Sequence, residues 1–198
     1  FFAVVLIGFG LFAPRFLSAA NFGSIAFQLP ELGLLTLAML IPIISGGLNL
    51  AIIYTANICG LTLAYILNIN GGVDAGPEAF LLGTLAALAV GALAGFVMGA
   101  VIAYTGAHPI LVSLSMMIFL RGLGEFLTRG GDISGLPAFL QPLGHGMVFG
   151  IPIPLILFVV AAFVWHIVLT RTRHGFAVYM IGSNIEAARY SGIHTKRT

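Results

Sequence analysis

The feature that most constrains this chain is where its charges are missing. No Asp, Glu, Lys or Arg occurs from Leu32 to Val73, from Ala79 to Leu120, or from Ile133 to Thr170. A charge at mid-bilayer costs about 2.5 to 3.5 kcal/mol on the insertion scale. A spanning helix needs about 20 apolar residues to cross roughly 30 Å of hydrocarbon. The first two blanks are each long enough for two helices, or for one long helix and part of another. The third opens with a polar, Gly/Pro-rich portion and holds one. Composition agrees: 7% of residues are charged and 60% hydrophobic, whereas a soluble domain is about a quarter charged. The net charge of +2 comes from eight basic residues, which implies no nucleic-acid surface.

These blanks predict an all-α, polytopic transmembrane bundle over residues 1–170, with six spans at 1–17, 24–45, 47–67, 79–104, 109–128 and 151–170. A basic segment, 171–198, follows. Breakers mark the turns: Asn21 and Gly23, Gly46-Gly47, Asn68 to Pro77, Gly106 to Pro109, and Gly130 to Gly150. Arg171, Arg173, Arg189, Lys196 and Arg197 all follow the sixth span, which makes that end cytoplasmic by the positive-inside rule. Arg15 and Arg129 then fall near the outer face and Arg121 inside a span. The chain starts without Met inside an apolar run and stops without a tail, so it reads as a piece truncated at both ends.

Several spans carry more than hydrophobicity. In the fourth, Gly83, Ala87, Gly91, Gly95, Gly99 and Ala103 recur every fourth residue, a small-residue row that lets another helix backbone approach closely. In the third, Asn49, Asn57, Gly60, Ala64 and Asn68 fall within an arc of about 100°. Amides there must avoid lipid. They serve as a pathway wall for a polar solute or as interhelical hydrogen bonds. Arg121 and Glu125, one turn apart, can pair on one face, anchor at the interface, or bind solute. His108, His145 and His166 read as helix-end or packing residues, without the spacing of metal ligands. Cys59 forms no internal disulfide. No phosphate-cradling loop or catalytic constellation is present, so this chain itself carries no cofactor.

The most specific stretch follows the sixth span. Ser183 and Glu186 have the spacing of a capping box, Ala187 to Tyr190 continue a helix, and Gly192 is a natural left-handed stop. Such a helix is too short to be stable alone in water. The segment Gly182-Ser-Asn-Ile-Glu-Ala-Ala-Arg-Tyr-Ser-Gly-Ile193 resembles the coupling loop of the ribose-type permease family of bacterial ABC importers, whose pattern is close to G-x-N-x-E-A-A-R-x-S-G-I. Gly46-Gly-Leu-Asn-Leu-Ala51 resembles that family's G-G-I-D-L-S element. Leu120-Arg-Gly122 and Thr128-Arg-Gly-Gly131 resemble its R-G and T-G-G elements. The resemblance runs from about Leu32 to Thr198.

It implies a permease subunit in the bacterial inner membrane that forms the route for a small polar solute, a monosaccharide or polyol. The fold would be like that of the vitamin B12 importer, with about ten spans against the six read here. It further implies a cytoplasmic ATPase dimer carrying ATP and Mg, a second permease subunit, and a periplasmic or lipid-anchored solute-binding protein. Gly182, Asn184, Glu186, Ala187, Ala188, Arg189 and Gly192 would meet the ATPase. Asn49 and Ala51 depart from the family's Asp and Ser, which leaves nucleosides and other small polar solutes open. An ion-coupled secondary transporter is the other class of reading. Against it stands the expectation that Glu125, near a helix end, is the only acid inside a span. An integral membrane enzyme would need a catalytic set that the chain lacks.

Overall fold

The computed structural model describes residues 2–13 and 16–197, so the expectation for Arg15 lies outside the described residues. Among the described residues, five helices are long and apolar enough to cross a membrane: α2 (Ala19–Ile44), α3 (Ile52–Ile69), α4 (Pro77–Thr105), α5 (Pro109–Thr128) and α7 (Ile153–Arg171). Before them α1 (Phe2–Phe12) has 11 described residues, about 16 Å at the helical rise. The residue before a proline is pushed out of the α region, and Ala13, which precedes Pro14 in sequence, is non-helical. The Gly/Pro-rich connection after α5 carries a five-residue helix, α6 (Gln141–His145). A two-stranded hairpin follows, β1 (Met147–Val148) with β2 (Ile151–Pro152).

Sequence places the helix ends where their chemistry predicts. Pro77 and Pro109 open α4 and α5 at the first turn, where proline loses no helical bond. Gly106 closes α4 at φ +69°, a conformation that costs a glycine little. His108 caps α5, its Nδ1 accepting from the Ile110 N–H at 3.4 Å, which fits its helix-end reading.

Helix α3 is the centre of one packed group. Its Ile58 meets Ala94 of α4 and Leu120 of α5, with Tyr54, Leu61, Val90, Met116 and Leu123 around them. Leu67, Ala75 and Ala79 form a second cluster toward the far end, covered by Leu140 from the connection after α5. A second group joins α2 to α7, where a methyl on Gly33 would sit 2.5 Å from the Phe158 ring. The two groups meet at turns: Gly47 packs against Pro109, and the buried Ser113 hydroxyl donates to the Leu48 carbonyl at 3.1 Å.

The small-residue row on α4 is used only in part. Methyls on Gly83 and Gly91 would reach Leu63 and Cys59 of α3 at 2.7 and 2.9 Å, whereas Gly95 and Gly99 have nothing within 4 Å among the described residues. The reason is the period. Four residues overshoot a turn by about 40°, so Gly95 is turned about 120° from Gly83, while Ala94 returns to within about 20°. Ala94 and Met98 are buried accordingly.

Candidate functional site

At the end of α7 the chain folds back into an elbow of two helices, α8 (Arg173–Ser183) and α9 (Ile185–Tyr190). Sequence reasoning finds α9 and misses α8, whose Gly175 and Gly182 lower helix propensity. Both glycines are spaces rather than hinges. A Cβ on Gly175 would collide with the Leu169 carbonyl oxygen, and one on Gly182 with the Ile44 carbonyl oxygen at the end of α2. The elbow is therefore seated, backbone on backbone, on α2. Thr172 caps α8, its hydroxyl accepting from the Gly175 N–H at 3.2 Å.

The start of α9 differs from the expected capping box by one residue. Ser183 belongs to the last turn of α8, and the cap is Asn184, extended at φ −161° and ψ 111°. Its Oδ1 accepts from the N–H groups of Glu186 and Ala187, each at 3.0 Å. Gly192 closes the helix at φ +81°. The Ile193 N–H reaches the Ala188 carbonyl and the Gly192 N–H that of Arg189, each at 3.1 Å, the double bond pattern of a Schellman stop. Replacing Asn184 by Ala should cost about 1 kcal/mol of local stability. Faster amide exchange at Glu186 and Ala187 in the complete protein would report it, and unchanged exchange would contradict the cap.

These contacts divide the predicted residues in two. Gly182, Asn184, Ala188 and Gly192 build the elbow, and Ala188 is 0% exposed. Glu186, Ala187 and Arg189 are exposed. On a 3.6-residue helix Glu186 and Tyr190 fall on the side opposite Ala188, within about 40° of each other. Tyr190, 89% exposed, and Ile185, 55% exposed, are the residues that sequence reasoning missed. They occupy variable positions of the pattern, and their signal was apolar side chains on a polar, basic segment. Lys196 then stacks 5.8 Å from the Tyr104 ring, tying the segment after α9 to the end of α4.

The predicted pathway residues separate too. Asn49 precedes α3, and its Oδ1 accepts from the Ala51 N–H at 3.0 Å. It is a turn residue, so the stripe that sequence drew through it on a helix does not include it. Asn57 and Asn68 are on α3 and exposed. The expectation that Glu125 is the only acid inside a span also gives way. Glu31 is exposed near the middle of α2, 13 residues from its end at Ile44, about 20 Å along the axis.

Fold and elbow together define a class, a multi-pass helical membrane protein that presents a short, doubly capped helix at its basic end. The chain belongs to the permease family described as branched-chain amino acid transport system, permease component, which matches residues 21–198. It is 27% identical over 98% of its length to the autoinducer 2 import system permease protein LsrD of Salmonella paratyphi B, covering 58% of that protein. The LsrD protein of Yersinia enterocolitica is 26% identical over 99% of the chain and 60% of the relative. That of Yersinia pestis (strain Pestoides F) is 29% identical over 84% and 50%. The chain thus spans about half to three-fifths of the length of these relatives. No solved structure matches. Family and apolar helices together make this a multi-pass inner-membrane protein of that permease family.

Proposed function

We propose that this chain is the membrane-spanning part of an ATP-driven importer's permease subunit, and that α9 is the surface its ATPase grips. The observation that carries this reading is the seated elbow. A six-residue helix cannot hold itself in water, yet α9 is capped at both ends and tied to α2 through Gly182. A load on Glu186 and Tyr190 would pass through α8 to the end of α2, and from there to the α2–α7 pair. The basic end is then cytoplasmic. ATP and Mg belong to the partner ATPase dimer, and a second permease subunit and a solute-binding protein complete the assembly. The solute is a small polar molecule, a monosaccharide or polyol, with autoinducer 2 brought in by the relatives' names.

The test is capture of the ATPase by the complete permease from membranes. Wild type should retain it, and Glu186→Arg and Tyr190→Ala should lose it with insertion unchanged. Ala188→Trp is a poor probe, because that side chain is buried within this chain and the variant would unfold α9. Glu31 favours a second reading, proton-coupled transport, since an acid inside a span is a functional candidate by its cost. Uptake that follows a pH gradient without an ATPase would select it.

A further inference from the structure

The charged pair on α5 is chemistry that the elbow does not use. Arg121 Nε donates to Glu125 Oε1 at 2.9 Å, and the two side chains are 61% and 63% exposed in this chain. Counting 1.5 Å per residue along Pro109–Thr128, Arg121 stands about 4 Å from the midpoint of α5. The outer end of α5 lies about 10 Å further on. Tyr54, in the first turn of α3, lies beside the Arg121 guanidinium. The guanidinium thus lies between Tyr54 of α3 and Glu125, one turn nearer the outer end.

The same strip gathers a second α3 side chain. Gly124 is buried and admits α3 closely; a methyl there would lie 3.6 Å from Asn57 Oδ1. Tyr54, Asn57, Arg121 and Glu125 therefore share one flank where α3 and α5 meet. At the same depth the other side of α5 carries Phe119 and Phe126, 61% and 79% exposed and suited to lipid. Lipid on the charged flank would impose the cost of an intramembrane charge. A guanidinium has five N–H donors and a carboxylate about four acceptor sites, so the contacts within the chain leave most of them for another partner. The two charges cancel, which suits a neutral solute better than an ion.

We propose that Tyr54, Asn57, Arg121 and Glu125 line the aqueous route and hydrogen-bond the hydroxyl groups of a small, uncharged, polyhydroxylated solute. This rests on the permease reading. The test uses the complete permease in membranes with Cys59→Ala, carrying Glu125→Cys, Asn57→Cys or Phe119→Cys. A charged, membrane-impermeant thiol reagent should label the first two. Phe119→Cys should react only with lipid-soluble N-ethylmaleimide. Asn57→Cys leaves the ion pair intact, so it reports even where Glu125→Cys fails to fold. Slower labelling in D-ribose or autoinducer 2 supports the solute contact; slowing by L-leucine alone, or by none of the three, overturns it. If neither polar position reacts with the charged reagent, the strip is sealed by lipid or helix and the proposal fails. Labelling requires no ATPase, so loss of ATPase capture would count against the importer reading and leave this result standing.

Discussion

Gly182→Ala should detach the elbow from the rest of the permease, the largest effect expected of a single methyl in this chain. The added Cβ meets the Ile44 carbonyl oxygen and lies 2.8 Å from its carbon and 3.4 Å from the Ser45 Cα. All three are backbone atoms at the end of α2, so no rotamer change relieves the overlap. Either α8 moves off or the last turn of α2 opens. Overpacking a tight site typically costs 1–3 kcal/mol, and a backbone-on-backbone contact belongs at about 3 kcal/mol or above. The spans themselves lie elsewhere and should insert. The expected result is a membrane-inserted permease with lowered thermal stability, rapid amide exchange across 173–190, and no captured ATPase. Wild-type stability together with retained ATPase would mean that the elbow is not seated on α2 in the membrane, and the load path through Gly182 would be wrong. Comparison with Tyr190→Ala separates the causes, since that variant should lose the ATPase without loss of stability.

What was legible in the sequence follows from what each signal measures. Charge blanks report the solvent around a helix, so the five long apolar helices are visible in them. The blanks say little about local geometry inside those lengths. Asn49 looks helical by position, yet the turn at Gly46-Gly47 delays α3 until Ile52, and Asn49 spends its carboxamide on that turn. The cap of α9 was displaced by one residue because both Ser183 and Asn184 are good caps. Choosing between them requires knowing that α8 runs through Ser183. Glu31 escaped notice because it borders a charge-free run, although the span read at 24–45 already holds it; the start of α2 at Ala19 brings it nearer the helix middle. The seat at Gly182 was beyond any local pattern, since Ile44 is far away in sequence.

Gly83→Leu and Gly95→Leu should behave oppositely, although sequence spacing places both in one row. At Gly83 a side chain enters the α3–α4 contact, against Leu63 Cδ1 at 2.7 Å, the Leu63 carbonyl at 3.4 Å and Ile66 Cγ2 at 3.5 Å from the first added carbon. Leu63 can swing its end away, but three further carbons must then fit between helices already in contact. A loss of about 1–3 kcal/mol follows, read as a lower unfolding temperature of the complete permease in detergent. Gly95 lies on another side of α4, together with Leu81 and Leu88, which are 61% and 65% exposed. Leu88 is turned only about 20° from Gly95 and Leu81 about 40°. Their protruding side chains would hold an incoming helix away from the glycine backbone, so this face suits lipid chains. Gly95→Leu should therefore unfold close to wild type. An equal loss at both positions would show that another helix reaches Gly95 despite its leucine neighbours. The small-residue row would then serve two contacts, one with α3 and one with a segment outside this chain.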